Sequence, residues 1–223
     1  SGCVDSYQNY GVITDGYESV CKVATVESDN TLANVYSGPK RKVLVFRGTG
    51  DSQDWVESLL MRPERKHVPS VYEAMRPFVP HRAPAVHGGF YKAYKRLRTS
   101  LRDILEEYSE EGVRWLVAGH GLGGALANIA CMSMSWERQP DLVTFGSPRW
   151  GNQHAAWIVS QKTRLQLRFI NNSDIVPLLP VPGGRWTHSA PAIHVHGDNR
   201  GLVSSHQIFD YRTGLTRYNG LSY

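Results

Sequence analysis

The chain lacks any apolar stretch long enough to cross a membrane. Of its 223 residues, 41% are hydrophobic, yet none of these form a run of about 18 consecutive apolar residues. Internal repeats, low-complexity segments and linker-like stretches are also missing from the sequence. This length and composition are typical of one globular domain, here residues 1–223, with room for a sizeable core.

Cysteine is scarce as well. The three cysteines, Cys3, Cys21 and Cys131, cannot all pair with one another. A bridge between Cys3 and Cys21 is consistent with a secreted protein, whereas Cys131 lies in a helical pattern and is predicted to be a small core residue. The first residues, Ser1-Gly2, do not resemble the start of a signal peptide. The compartment therefore stays open, with secretion or a peripheral membrane location preferred.

The charge balance is moderately basic. A net charge of +5 and a pI near 9.2 are compatible with binding to an anionic lipid surface or with weak nucleic-acid contact. A requirement for solubility alone would also explain them. The proline-rich segment 62–87 carries a basic cluster, namely Arg62, Arg65, Lys66, Arg76 and Arg82. Neither aromatic interleaving nor a known nucleic-acid module accompanies this cluster. We therefore expect a solvated loop and no nucleic-acid partner.

What the chain does contain is an alternation of strand-like and helix-like segments. Predicted strands cover 20–27, 32–37, 42–46, 141–145, 165–170 and 193–196, with a short one near 67–72. Predicted helices cover 52–60, 90–108, 151–162 and 204–212, and the clearest is 90–108, where apolar residues recur at spacings of three and four. From residue 42 onward the alternation indicates an α/β sheet with mostly parallel strands.

One stretch at mid-chain carries the most chemical information. An apolar run beginning at Arg114 leads into Gly119-His120-Gly121-Leu122-Gly123-Gly124, and a helical pattern follows. Strand, sharp turn and helix form the nucleophile elbow of hydrolases, G-x-S-x-G, but the nucleophile position holds Gly121. The same glycines, Gly119, Gly121 and Gly124, also satisfy the dinucleotide fingerprint G-x-G-x-x-G.

The rest of the chain favours the hydrolase interpretation. A dinucleotide site needs an acidic residue at the end of the following strand, whereas Asp141 would begin that strand. A hydrolase needs an acid and then a histidine after the nucleophile position, and Asp174 and His206 follow in that order. An oxyanion donor is expected in a loop after an earlier strand, which Arg47-Gly48-Thr49 occupies. Dinucleotide binding remains a remote alternative.

The chain resembles the class 3, or fungal-type, triacylglycerol lipase family of α/β-hydrolases. The matching pieces are spread in family order over residues 43–211. They are Val45 to Thr49, Asp54-Trp55 to Leu59, His87 to Phe90, Gly119 to Ala127, Thr144 to Arg149 with Gly151-Asn152, Asn172 to Pro177 with Leu179-Pro180, and Ser205-His206 before Tyr211. The resemblance implies a single-domain α/β-hydrolase fold, in which helices flank a mostly parallel central sheet.

The resemblance also implies roles for individual residues. Asp174 matches the triad acid that orients the imidazole, and His206 matches the general base. Thr49 matches the oxyanion residue that follows Arg-Gly, and Leu122 supplies a second N–H because it follows the nucleophile position. The triad is therefore expected to lie around Gly121, where its hydroxyl is missing.

A lid and a substrate class follow from the same resemblance. Residues 51–60 match the lid, and Trp55 and Leu59 are expected on the apolar face that meets lipid when the lid opens. The implied partner is a lipid or another acyl ester, with contact at a lipid–water interface. Neither a cofactor nor a metal is expected.

Gly121 is the departure from the family pattern. Glycine has no side-chain oxygen, so no acyl-enzyme can form there. The fold should tolerate it, because the elbow conformation costs a residue with a Cβ about 1–3 kcal/mol and glycine adopts it freely. Three accounts stay open: an introduced inactivating substitution, a natural pseudoenzyme, and a working enzyme whose nucleophile is displaced to Ser147 or Thr49. A non-catalytic lipid- or protein-binding module is the alternative function.

Other histidines compete for the base role. His188, His194 and His196 all lie in the same part of the sequence. His194 and His196 alternate like strand residues and could face one way toward a metal, but no third ligand is near them in sequence, so no metal site is predicted. His87, at the start of a His-Gly-Gly-Phe loop, is interpreted as structural.

Overall fold

The computed structural model describes residues 21–28, 31–38, 41–47, 65–67, 83–180, 186–198, 201–202 and 204–218, and for 65–67 only the backbone is described. Cys3, the oxyanion candidate Thr49 and the lid candidate 51–60, with Trp55 and Leu59, lie outside these residues. Within them, Cys21 is disulfide-bonded and Cys131 is a buried free thiol, as the sequence predicts for a small core residue. The assignment of residues 1–223 to a single domain stays a prediction.

Among the described residues, seven strands form one sheet in the order β1-β2-β3-β6-β7-β8-β9. The strands of the described residues, including two outside this sheet, are β1 Cys21–Ser28, β2 Thr31–Ser37, β3 Arg41–Arg47, β4 Arg65–His67, β5 Ala85–His87, β6 Arg114–His120, β7 Asp141–Phe145, β8 Leu165–Asn171 and β9 Ala192–Val195. In the seven-stranded sheet β1, β2 and β3 pair antiparallel, whereas β3, β6, β7, β8 and β9 pair parallel. Strands β4 and β5 form a separate antiparallel pair. The predicted mostly parallel sheet is confirmed.

The described helices cover both faces of the sheet; three of them follow its parallel strands, and the first follows β5. They are α1 Gly88–Glu107, α2 Leu122–Ser133, α3 Gln153–Lys162 and α4 Ile208–Tyr218, with single 3-10 turns at Val176–Leu178 and Ser204–His206. No helix in the described part of the chain is long and apolar enough to cross a membrane.

Alternation along the strands divides the core into two layers. In β3, Leu44 and Phe46 pack into the cluster formed with α1, α2 and α3, whereas Val43 and Val45 pack into the cluster that contains Tyr211 and Leu215 of α4. Successive strand residues point to opposite faces, so a continuous apolar run is the expected sequence for a strand that is buried on both sides. The fold is that of an α/β-hydrolase.

Two predicted elements differ from the structure in position. The short strand predicted near 67–72 is found at Arg65–His67. The terminal helix predicted at 204–212 is a 3-10 turn at Ser204–His206 followed by α4, which continues to Tyr218. Gly214 lies within this helix and packs closely against the chain after β9: a Cβ on Gly214 would stand 3.0 Å from both Gly197 N and Val195 Cβ.

Close packing explains the glycines that imitate a dinucleotide fingerprint. A Cβ on Gly123 would lie 2.2 Å from the Phe46 carbonyl oxygen, and one on Gly119 would lie 2.2 Å from the Gly123 oxygen. Helix α2 therefore rests directly on β3 and β6. The acidic residue of the alternative reading, Asp141, begins β7 and accepts two hydrogen bonds from Arg164, at 2.8 and 2.6 Å, so its role is structural.

Replacing Gly123 with alanine tests this packing. We expect Gly123→Ala to lower the free energy of unfolding by about 1–3 kcal/mol or more, because the new methyl group must displace backbone atoms. The matched control is Gly89→Ala, near the start of α1, where the nearest atoms are His87 ring atoms at 3.4 Å and alanine favours the helix by about 1 kcal/mol. Urea unfolding followed by circular dichroism measures both changes, and equal stabilities would contradict the packing argument.

Candidate active site

The turn between β6 and α2 has the backbone conformation of an elbow. Gly121 lies at φ +56° and ψ −124°, a left-handed region that residues with a Cβ enter only under strain. Its N–H donates to the Phe145 carbonyl at 2.9 Å, and its own carbonyl accepts from the Gly124 N–H at 2.9 Å. The sharp turn predicted from sequence is present, and it is held from both sides at a residue without a side chain.

Asp174 and His206 meet across 32 residues of sequence. Asp174 follows the end of β8 and is only 4% exposed, and its Oδ1 accepts from the Val176 N–H at 2.8 Å. Its Oδ2 lies 2.7 Å from Nδ1 of His206. A carboxylate oxygen accepts this hydrogen bond from Nδ1–H, and in the neutral imidazole tautomer that donates from Nδ1 the lone pair is on Nε2.

The lone-pair side of the His206 ring faces the turn. A Cβ built on Gly121 would lie 2.7 Å from Nε2 and 3.3 Å from Cε1 of His206. The structure therefore brings together three of the residues named from sequence: Gly121, Asp174 and His206. The imidazole approaches the turn more closely than a residue with a Cβ would allow.

Tyr211 is a site residue that sequence reasoning did not identify. Its hydroxyl, fully buried on α4, donates to Oδ2 of Asp174. Burial, together with the nearby Asp174 carboxylate, raises the pKa of Tyr211 well above its ordinary value, so the phenol stays a proton donor. In the sequence this tyrosine is one more apolar-face position of a helix, and no local pattern separates it from a core residue.

Gly146 makes room for this group of side chains. It follows β7 at φ +57°, and a Cβ there would lie 2.7 Å from Oδ2 of Asp174, 2.9 Å from Cε1 of His206 and 2.9 Å from the Tyr211 hydroxyl. The Gly-Ser-Pro sequence after a buried strand signals a turn. Only the tertiary structure shows that this turn borders the site.

His120, the residue before the elbow glycine, supports the His206 ring. Its Nε2 lies 2.7 Å from the His206 carbonyl oxygen, so Nε2–H donates, and its ring stacks on the His206 ring with centroids 4.5 Å apart. Burial, and secondarily the neighbouring His206, lowers the pKa of His120 to about 3. The supporting imidazole is therefore neutral at physiological pH.

Leu122 occupies the position expected for an oxyanion donor. It is the first residue of α2, where a backbone N–H has no intrahelical acceptor and lies at the positive end of the helix dipole. Ser147, a candidate for a displaced nucleophile, is 1% exposed, and its hydroxyl donates to the Pro148 carbonyl at 3.2 Å. That hydroxyl serves the loop after β7.

The competing histidines have other contacts. His188 donates from Nε2 to the Pro177 carbonyl at 2.9 Å, and burial, with Arg168 second, lowers its pKa to about 4. His87 is buried with its ring 4.3 Å from that of Phe90. Both contacts are structural, as predicted for His87.

The pair His194 and His196 shares one amide. Oδ1 of Asn172 lies 2.6 Å from Nδ1 of His194, and Nδ2 of the same side chain lies 3.1 Å from Nδ1 of His196. Within the residues that the structure describes, no three His, Cys, Asp or Glu side chains are grouped so that they could hold a metal ion.

Removing the Tyr211 hydroxyl tests its role at the carboxylate. We expect Tyr211→Phe to lower the free energy of unfolding by about 1–3 kcal/mol, because a buried Asp174 oxygen loses a donor. Tyr218→Phe is the matched control on the same helix, since Tyr218 is 64% exposed. Urea unfolding at neutral pH compares the two, and an unchanged stability in Tyr211→Phe would show that this hydrogen bond is unimportant.

The low pKa of His120 predicts a pH dependence of stability. Between about pH 6.5 and about pH 3 the unfolded chain binds a proton at His120 that the native chain does not, so stability falls as the pH falls through this window. His120→Gln should reduce that fall, and His188 should account for part of the remainder. Unfolding free energies at several pH values measure the effect, and a variant with the wild-type slope would contradict it.

Comparison with known proteins places this geometry in a family. The sequence model of lipase (class 3) matches residues 43–183. The chain is 28% identical over 155 residues to phospholipase A(1) DAD1, chloroplastic, from Arabidopsis thaliana, a match that covers 64% of this chain and 34% of that protein. It is 32% identical over 115 residues to secreted mono- and diacylglycerol lipase 1 from Fusarium solani, covering 50% and 34%.

Solved structures agree on the fold. The triacylglyceride lipase of Rhizomucor miehei superposes with a TM-score of 0.66 at 24% identity, covering 82% of this chain and 68% of that one. Lipase II from Rhizopus niveus superposes with a TM-score of 0.65 at 23% identity, covering 83% and 69%. The chain spans about a third of the length of the two curated relatives named above. The family match covers more than half of the chain, which therefore belongs to the class 3 lipase family.

Proposed function

We propose that this chain is a lipase-type scaffold for acyl esters of lipids, and that it does not hydrolyse them because Gly121 replaces the serine nucleophile. The observation that carries the proposal is the buried Asp174–His206 pair, at 2.7 Å, with Nε2 turned toward the elbow. The relatives named as phospholipase A(1) and as mono- and diacylglycerol lipase suggest glycerol esters as the substrate class.

The proposed roles follow from what each group can do. Asp174 orients the His206 ring and would stabilise its cation, and His206 is the base that a serine at position 121 would need. The N–H of Leu122, with Thr49, would stabilise the oxyanion. We assign residues 51–60 as the lid, with Trp55 and Leu59 on its lipid-facing side.

Exposed apolar side chains near the pair support a lipid partner. Leu178 follows Asp174 closely, while Leu202 and Phe209 flank His206, and these three side chains are 55%, 61% and 57% exposed. The two segments are joined, since the Ile175 N–H donates to the Leu202 carbonyl at 3.2 Å. Apolar groups grouped on the surface are typical of sites that meet a lipid or protein partner.

The alternative function is a non-catalytic module that binds lipid or protein on the same scaffold. The two proposals differ in the activity expected of Gly121→Ser, because a module that also lacks other groups needed for catalysis stays inactive with a serine at position 121. Dinucleotide binding is a remote alternative, because each glycine that suggested it closely approaches another part of the chain: Gly119 approaches Gly123 of α2, Gly121 approaches His206, and Gly124 approaches Ser147.

Restoring the hydroxyl is the central experiment. We expect Gly121→Ser to hydrolyse a short-chain triglyceride such as tributyrin and to react with a fluorophosphonate, whereas the glycine chain does neither. In a serine protease, loss of the nucleophile lowers kcat by about 10⁶, so the contrast should be large. The serine must displace the His206 ring slightly, because its Cβ would otherwise lie 2.7 Å from Nε2.

Gly121→Ala is the matched control. It adds the same Cβ at the same positive φ, a strain of about 1–3 kcal/mol, but no hydroxyl, so it should resemble the serine variant in stability and the glycine chain in activity. Tributyrin hydrolysis by the glycine chain at the rate of the serine variant would refute the proposed loss. A folded but inactive serine variant that still binds lipid vesicles would favour the binding module.

A further inference from the structure

The imidazole of His206 takes the place next to the turn that a nucleophile would hold. Its Nε2 lies 2.7 Å from the point where a Cβ of residue 121 would stand, closer than a residue with a side chain permits. In a serine hydrolase the hydroxyl attacks the acyl carbon, and this nitrogen only moves protons, first from the hydroxyl and then to the leaving group. Here Gly121 has no side chain, so Nε2 of His206 itself faces the space in which an acyl ester would react.

The contact with Asp174 selects the tautomer of the neutral ring that a nucleophile needs. Asp174 Oδ2 accepts a hydrogen bond from Nδ1–H at 2.7 Å, so in the neutral ring the lone pair belongs to Nε2. The His120 ring stacks behind it at 4.5 Å and anchors the His206 carbonyl at 2.7 Å. A fixed ring with a directed lone pair needs little reorganisation before it attacks a bound carbonyl.

A donor for the developing charge lies beside the same turn. Leu122 follows Gly121 directly, and its N–H lies at the free N-terminus of α2. An acyl carbonyl that enters the proposed acyl-ester site with its oxygen toward this N–H presents its carbon to the turn. The negative charge formed on attack would then be stabilised as in an oxyanion hole.

We propose that His206 Nε2 is itself an acyl acceptor that hydrolyses activated esters, a function that rests on the proposed acyl-ester site. Nε2 forms a bond to the acyl carbon, the carbon–oxygen bond breaks, and an activated phenolate leaves with the electron pair. Water then attacks the acyl-imidazolium, the carbon–nitrogen bond breaks, and the carboxylate and the original neutral imidazole are released. Of the two protons of that water, one neutralises the phenolate and the other passes to the solvent.

The leaving group determines which esters react. A neutral imidazole is expelled from a tetrahedral intermediate more readily than an alkoxide, so an alkyl or glycerol ester returns to starting material. By the same rule an ordinary phenolate or alkyl thiolate, whose conjugate acid has a pKa of about 10 or about 8.5 against about 6.5 for imidazole, also leaves less readily than imidazole. A phenolate whose charge is withdrawn by a nitro group is about as weak a base as imidazole, so its ester proceeds. The substrate class is therefore activated aryl esters, and the absence of glycerol-ester hydrolysis proposed above is compatible with it.

The test uses 4-nitrophenyl acetate and ethyl acetate with the unchanged glycine chain. We expect release of 4-nitrophenol above the buffer rate and no turnover of ethyl acetate. The first release of 4-nitrophenol, measured before the acyl group is hydrolysed, should be equally fast in light and heavy water, because no proton moves during the attack by Nε2. His206→Asn keeps a donor toward Asp174 and removes Nε2, so its rate should fall to that of buffer. His154→Gln, on α3, is the matched control and should keep the full rate.

Several outcomes would overturn the proposal. These are a His206→Asn rate equal to that of the glycine chain, ethyl acetate turnover by the glycine chain, or a clearly slower first release of 4-nitrophenol in heavy water, which would make His206 a base acting on water. His206→Gln, checked with His206→Asn by circular dichroism, guards against misfolding. The tributyrin result with Gly121→Ser is independent, so a failure of this proposal and a failure of the proposed function can be told apart.

Discussion

The site depends on one buried carboxylate and the donors that surround it. Asp174 receives the Val176 N–H at one oxygen and both His206 Nδ1–H and the Tyr211 hydroxyl at the other. A carboxylate that is only 4% exposed is tolerated because its hydrogen-bonding capacity is met. The same bonds join the end of β8 to the 3-10 turn that carries His206 and to α4, so the chemistry and the attachment of the last helix share one set of contacts.

This shared use makes the acid–histidine pair independent of the residue at position 121. Gly121 makes no contact with Asp174 that a substitution would remove, whereas loss of Asp174 or His206 would leave a buried polar group unsatisfied. Stability therefore retains the pair irrespective of catalysis. The ring of His206 is further fixed by His120, whose low pKa keeps it neutral, and this rigidity is what the proposed direct acyl transfer would use.

Steric limits at glycines shape the surroundings of the pair. Gly123 lets α2 lie against the Phe46 carbonyl, and Gly146 leaves the space in which Asp174, His206 and Tyr211 meet. Gly121 has a different status, because its positive φ is what an elbow requires while its lack of a Cβ is not. The motif that looked like a dinucleotide fingerprint thus combines packing glycines with one glycine that stands at the position of a reactive residue.

The sequence by itself determined the parallel α/β arrangement and the elbow turn, because apolar periodicity and turn residues are properties of local stretches. Asp174 and His206 were named from motif order and from the resemblance to a family, with His188, His194 and His196 open as competing bases, and the structure is what brings His206 to 2.7 Å from Asp174. The terminal helix was misplaced: residues 204–206 form a 3-10 turn, and the helix itself spans Ile208–Tyr218. Only the tertiary structure decided that Tyr211, His120 and Gly146 border the site. In the sequence each resembles an ordinary core, strand-end or turn residue, and the contacts that distinguish them join segments 28 to 86 residues apart, which no local pattern encodes.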